Sequence, residues 1–187
     1  MGITTKIGDN GKTSILFGRM INKTDQRMEV CGCVDELNAS LGVSRAHVTA
    51  PNIKQEILSV QHVLFVIGAE IATLEEDQHK LKQTITKDEV RSIEREIELL
   101  EQYNDIQNWF IPGDSPSSAH LELARTIARR LERQLLRQNQ QNKSMNIYIN
   151  RLSDYLWLLA QKEEYYLRGI ERKSTEHMPI GEQQTTI

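Results

Sequence analysis

The sequence predicts an all-α fold, a bundle of five helices. Three observations predict it. Apolar residues recur at helical spacing in five separate segments, two of those segments open on capping signals, and no segment shows convincing period-two alternation. No internal repeat of about 20 to 50 residues is visible either, so a solenoid is excluded.

The segments justify themselves in order. Between Asp25 and His47, Val30, Val34, Leu37 and Leu41 form one stripe, and Ala39, Ser40 and Gly42 are small enough for close helix contact. Pro51 marks the break. From Ile53 to about Leu74 the set Ile57, Val60, Leu64, Ile67, Ile71 and Leu74 is nearly continuous, the pattern of a helix buried on more than one side, and it is read as the central helix. Thr86 with Glu89 makes a capping box ahead of Val90, Ile93, Ile97 and Leu100. Ser115 and Pro116 resemble an N-cap and first-turn pair that opens Leu121, Ala124, Ala128, Leu131 and Leu135. Beyond the polar run RQNQQNKS, Ile149, Leu152, Leu156 and Leu159 continue toward Leu167. The tail Ser174 to Ile187 has no stripe and is expected to be mobile.

With 187 residues, 39% hydrophobic and 26% charged, the chain suits one domain over 1–187, with residues 1–24 as an N-terminal loop. Cys31 and Cys33 are two apart, which on a helix points them to nearly opposite faces and excludes a mutual bridge. A reducing, cytoplasmic setting is expected. The longest apolar stretch, Val63 to Ala69, is far short of the roughly 20 residues of a membrane span, and the N-terminus lacks a signal-peptide core. Lys+Arg 23 against Asp+Glu 26 gives a net charge of -3, which argues against broad nucleic-acid binding yet leaves room for a local anion site.

Two constellations suggest such a site. Thr5-Lys6-Ile7-Gly8-Asp9-Asn10-Gly11-Lys12-Thr13-Ser14 spaces two glycines among lysines and hydroxyls, which suits an anion nest of backbone N–H groups; a frayed terminus with flexible turns is the other reading. It is not a P-loop, because Lys6 stands where the first glycine belongs. Arg125, Arg129 and Arg133 fall at i, i+4 and i+8, with Arg130 about 100° round the helix. Such a row is either a solvated face or a track for an oligophosphate.

A third constellation pairs Asp35-Glu36-Leu37-Asn38 with Asn150-Arg151-Leu152-Ser153-Asp154, both able to look into one groove. The Glu-x-x-His pairs of di-iron bundles are absent, and the five histidines are scattered. Trp109-Phe110 forms an aromatic turn ahead of Pro112-Gly113-Asp114.

Taken together, these segments resemble the PduO-type ATP:cob(I)alamin adenosyltransferases. The resemblance runs through Thr5 to Thr13, Lys23 to Gly42, Pro112-Gly113, Ala124-Arg125-Thr126 with Arg129-Arg130-Leu131-Glu132-Arg133, and Asn150 to Leu156. It implies a ferritin-like up-and-down five-helix bundle that assembles as a homotrimer with active sites between subunits. It also implies that Thr5, Lys6, Gly8, Thr13, Ser14, Lys23, Arg129, Arg130, Glu132, Arg133 and Asn150 hold ATP, with Mg2+. Asp35 and Arg125 look like the family's intersubunit ion pair near the corrinoid. Trp109 is the aromatic expected to exclude the lower axial ligand of cobalamin, and with Arg129 it is the expected catalytic pair.

The implied reaction is attack by cob(I)alamin on the 5′-carbon of ATP, served by a flavin-type reductase and an adenosylcobalamin-dependent acceptor enzyme. This chain departs from the family at Trp109 for phenylalanine, Asp114 for glycine, Glu122 for histidine, and Cys31 and Cys33 for tyrosine and threonine. Two other readings stand beside this one: a non-catalytic nucleotide or corrinoid carrier, and a nucleic-acid binder using Arg125 to Arg137.

Overall fold

The computed structural model describes residues 6–103 and 111–169; Thr5, Trp109 and the tail 174–187 lie outside them. Among the described residues there are five α-helices: α1 (Gln26–His47), α2 (Ile53–Ile71), α3 (Lys87–Tyr103), α4 (Pro116–Arg137) and α5 (Lys143–Leu167). The anticipated start signals are in place. Glu89 accepts from the amide and hydroxyl of Thr86 at 2.8 and 2.6 Å, and Ser115 accepts from the Ser118 amide at 3.2 Å with Pro116 in the first turn. Helix α5 starts inside the polar run, where Asn142 accepts from the amides of Ser144 and Met145 at 3.0 and 3.2 Å.

An element the periodicity did not reveal precedes the helices. Strands β1 (Lys12–Ser14) and β2 (Met20–Asn22) pair antiparallel, with Lys12 opposite Asn22 and Ser14 opposite Met20. Three residues are too few for an alternation to register. The hairpin is anchored to the segment after α2. Arg19 pairs with Asp77 at 2.7 Å and with Glu76 at 2.7 Å, Lys80 reaches Asp77 at 2.6 Å, and the Lys80 ammonium stands 5.5 Å from the centre of the Phe17 ring.

Packing corrects one expectation. The central place belongs to α5, which packs on α4, α3 and α2, whereas α2 leans mainly on α1. The stripe that suggested α2, Ile57, Val60, Leu64, Ile67 and Ile71, is buried as expected, but a buried stripe does not say which helix the others pack around, and the far side of α2 carries Phe65, 69% exposed. In α5 the reverse holds, since Ser153, Gln161, Glu163 and Glu164 are buried although polar. Helix α2 also ends at Ile71, short of Leu74, where Arg27 donates to the carbonyls of Ile71 and Thr73 at 2.5 and 2.9 Å.

Each end of α5 is fastened by a carboxylate. Glu163 accepts from the Thr49 amide and hydroxyl and the Ala50 amide, each at 2.9 Å, and so caps the turn between α1 and α2. Glu164 takes the hydroxyls of Ser115 and Ser118 at the start of α4. At the other end Glu70 accepts from the Ile85 amide at 3.0 Å and from Asn142 at 2.6 Å. Helix α4 is antiparallel to both its neighbours: its start meets the end of α5, and Gln134 near its end meets Gln26 at the start of α1 at 2.9 Å.

Two outcomes follow. Glu163→Ala strips a buried amide of its acceptor and is expected to lower stability by about 3 kcal/mol, read as a lower denaturation midpoint at unchanged slope; a change below about 0.5 kcal/mol would remove Glu163 from this role. Hydrogen bonds from Arg19 and then Lys80 hold the Asp77 carboxyl well below the usual carboxylate range. Its anchoring is therefore complete above the ordinary value of ~3.9 and lost as pH falls through the depressed native value. Asp77→Asn is expected to speed amide exchange across Lys12–Asn22 at neutral pH while the bundle melts as before, and equal exchange in the two proteins would place the anchor elsewhere.

Candidate functional site

The glycine turn is built by backbone geometry that few residues tolerate. Lys6 is left-handed at φ 58, residues Ile7–Asn10 make one 3-10 turn, and Gly11 is left-handed at φ 79. The Gly11 amide returns to the Gly8 carbonyl at 3.3 Å, and the Lys12 amide to Asn10 Oδ1 at 3.4 Å. The hairpin then carries the chain back, so that the Lys23 amide donates to the Gly11 carbonyl at 2.8 Å. The Lys23 ammonium lies against Gly8, where an added Cβ would stand 3.0 Å from Nζ. Thr13, half-buried, and Ser14, exposed, follow directly in β1. Turn, hydroxyls and a cation from the far side of the hairpin are thus brought together.

The arginine row occupies the outward side of α4. Arg129 and Arg133 are exposed, and Arg133 Nη1 donates to the Arg129 carbonyl at 2.9 Å. Arg130, turned toward α1, forms an ion pair with Glu36; its hydrogen bond holds the Glu36 carboxyl below and the Arg130 guanidinium above their ordinary values. Arg125 is less exposed and donates through Nε to Glu122 at 2.8 Å. Asp35 is exposed on α1 and makes no hydrogen bond or ion pair among the described residues, so the partner Arg125 has within this chain is Glu122.

A polar relay backs the row. Asn150 donates to Glu132 at 2.8 Å, Arg151 donates to Asn150 at 2.7 Å and to Glu94 at 3.1 Å, which links α4, α5 and α3. Beside it lies a groove of about 330 Å³ lined by Arg125, Arg129, Ser153, Asp154, Trp157, Leu158 and Glu101. Glu122 in its role toward Arg125, and Trp157 in the groove wall, were not anticipated. The signal for Trp157 was present, since it follows Asn150 and Asp154 at i, i+4 and i+7, but it is set among leucines that read as core.

Within one chain, among the described residues, no hydrogen bond or ion pair joins 6–23 to Arg125, Arg129, Arg130 or Arg133. The chemistry offered is anion binding. Burial pushes the Cys31 thiol up to about 11 and raises Cys33 as well, although Arg130 opposes it there, so neither is an activated thiolate. Among the described residues no group of three or more His, Cys, Asp or Glu side chains could hold a metal ion.

The chain is similar to known proteins of one family. The family model described as cobalamin adenosyltransferase matches residues 3–163. A corrinoid adenosyltransferase of Citrobacter freundii is 39% identical over 166 residues, covering 87% of this chain and 94% of that one. One of Bacillus subtilis (strain 168) is 31% identical over 169 residues, covering 86% of each. The fold matches, at a TM-score of 0.82 and 30% identity over 89% of this chain and 93% of the other, a variant PduO-type ATP:corrinoid adenosyltransferase from Lactobacillus reuteri complexed with cobalamin and ATP.

Gly8→Ala pushes the Lys23 ammonium off the turn without touching the core. It is expected to weaken binding of inorganic triphosphate roughly tenfold, about 1.4 kcal/mol, at an unchanged melting temperature, measured by calorimetric titration. Unaltered affinity would show that Lys23 and the turn do not act together.

Proposed function

This chain belongs to the cobalamin adenosyltransferase family, and we propose that it transfers the 5′-deoxyadenosyl group of ATP to the cobalt of cob(I)alamin, with release of triphosphate. The carrying observation is that a guanidinium row and a glycine turn closed by Lys23 are set on the fold of an enzyme that holds both ATP and cobalamin. The electron pair of cobalt(I) forms the bond to the 5′-carbon as the bond from that carbon to the phosphate oxygen breaks. The leaving triphosphate keeps the electron pair of the broken carbon–oxygen bond.

No side chain has to take a proton in this step. The tasks left to the protein are to hold the nucleotide in line, to neutralise charge growing on the leaving group, and to keep water out. Lys6, Gly8, Thr13, Ser14 and Lys23, with Thr5, form the phosphate turn; Arg129, Arg130 and Arg133 supply guanidinium forks, with Glu132 and Asn150 positioned by their mutual hydrogen bond. The Arg130–Glu36 pair is exposed and correspondingly weak, so phosphate can displace it. Mg2+ fits at this end. Glu132 keeps a second carboxylate oxygen outside its bond to Asn150, and this small hard cation takes one or two carboxylates with phosphate oxygens and water for the rest. Bound there, Mg2+ would add to the neutralisation of the triphosphate.

The assembly is a homotrimer of up-and-down, ferritin-like bundles, and each site is shared by two subunits. What supports this is that no hydrogen bond or ion pair joins the turn to the arginine row within one chain among the described residues, together with the exposure of Arg129 and Arg133. Asp35, exposed, is available to Arg125 of a neighbour, in competition with Glu122. To Trp109 we assign the part of an apolar wall toward the lower face of the corrinoid, which eases reduction of cobalt by excluding the axial ligand. A flavin-type reductase supplies the electron, and an adenosylcobalamin-dependent enzyme receives the product, in the cytoplasm.

Incubation with ATP and chemically reduced cobalamin, followed optically for the cobalt–carbon bond and chemically for triphosphate, tests the reaction. Arg129→Ala is expected to lower kcat by about 10²- to 10³-fold, with cobalamin binding retained. Near-normal turnover in that variant would move the leaving-group site away from α4. Binding of both substrates without triphosphate release by the wild type would favour a carrier.

A further inference from the structure

The side of α5 that looks out between α2 and α3 carries two phenols with nothing to bond. Tyr148 and Tyr155 are each 4% exposed, and among the described residues neither hydroxyl has a hydrogen-bond partner. Both line an open groove of about 400 Å³, and neither oxygen is among the buried atoms sealed from solvent, so both are reachable from it. Burial and then the charge of Glu89 raise the Tyr148 phenol above its ordinary value; burial and then Glu56 and Glu96 do the same for Tyr155. Each phenol therefore stands in the field of a carboxylate to which it makes no bond.

The walls of the groove set the charge of what enters. Glu56, Asp88, Glu89 and Glu96 line it, and among the described residues no lysine or arginine does. Glu56 is answered by Lys162 at 2.9 Å and Asp88 by Arg91 on the exposed surface, whereas Glu89 and Glu96 make no ion pair among the described residues. A group that donates at once to a carboxylate and to a phenol oxygen fills each gap, and an ammonium does so while cancelling the charge that a water would leave. None of these residues lines the groove of Arg125 and Arg129, so this is a second site.

Spacing sets the length. Glu89 and Glu96 are seven residues apart on α3, as Tyr148 and Tyr155 are on α5, which is about 10.5 Å along either helix. Between the two ends the wall is apolar at Val60, Val63 and Ile93, with the hydroxyls of Ser59 and Ser92 near the middle. We propose that the groove between α2 and α3 binds a linear polyamine, one terminal ammonium donating to Glu89 and Tyr148 and the other to Glu96 and Tyr155. The methylenes lie on the valines and Ile93, and a middle nitrogen donates to the serine hydroxyls.

Calorimetric titration of the full chain at fixed ionic strength tests this, with spermidine as the probe and putrescine, propylamine and Mg2+ as comparators. Spermidine is expected to bind about tenfold more tightly than putrescine, which is too short to reach both carboxylates, and propylamine and Mg2+ more weakly still. Glu96→Gln, and Glu89→Gln, which preserves the cap on Thr86, are each expected to weaken spermidine about tenfold and to flatten its advantage over putrescine. Tyr155→Phe is expected to weaken it about threefold. Equal affinity for spermidine and putrescine, or for Mg2+ and spermidine, would show general attraction of counter-ions and overturn the proposal, as would no binding at all. That comparison uses the wild type and decides even where a variant does not fold. Folded Glu89→Gln and Glu96→Gln variants with unaltered spermidine affinity overturn it equally.

Discussion

A helix covered on three sides must find a partner for every polar group it carries, and that constraint on α5 organises this molecule. Its sequence places charges and amides where a core helix would have leucine, and the rest of the chain is arranged to answer them. Glu163 captures the turn between α1 and α2, Glu164 caps α4, and Asn142 with Glu70 joins the start of α5 to the segment before α3. Each bond satisfies a buried group and at the same time fixes a neighbouring helix against α5. Gln161 stands out because it is the α5 side chain with both polar atoms buried and unanswered among the described residues.

The functional surface is a consequence of that scaffold. Helix α4 is tied at its start through Ser115 and Ser118 and near its end through Gln134, which leaves its outer side for Arg129 and Arg133. The polar relay from Glu132 through Asn150 to Arg151 and Glu94 orients groups at the edge of the same row, so the guanidinium forks are set on a rigid element. The glycine turn is held differently. It rides on a small hairpin tied to the segment after α2 by the Arg19–Asp77–Lys80 cluster. A cationic helix face and a glycine turn together suit a reaction whose protein-side demand is to hold a departing polyphosphate.

Much of this was legible in the residue order. Stripes such as Val90, Ile93, Ile97 and Leu100 are a direct imprint of helical geometry, and Thr86 with Glu89, or Ser115 with Pro116, are local bonds that need no tertiary context. The glycine turn and the arginine row, as pieces of local geometry, were readable for the same reason, since glycine spacing and i, i+4 spacing are properties of short segments. What escaped notice depends on long-range contact. A hairpin of three-residue strands leaves no periodic trace, and the central position of α5 rests on Glu163 and Glu164 being matched by residues far away in the chain. The apolar stripe of α2 is buried as read, but periodicity shows that a helix has a core face and not which helix stands at the centre. The pairing of Arg125 with Glu122 was hidden because carboxylates and arginines at i, i+3 are common on solvated faces.

The central proposal is that the glycine turn of one copy and the arginine row of another close on one triphosphate. Co-expression of a Lys23→Ala chain with an Arg129→Ala chain tests it most directly, because each mixed assembly contains interfaces that unite an intact turn with an intact row. Adenosyl transfer is expected to recover to roughly a quarter of the wild-type rate, the share of such interfaces under random mixing around a closed ring. Turnover no higher than that of either variant alone, in assemblies shown to contain both chains, would contradict the proposal and place turn and row in the same subunit.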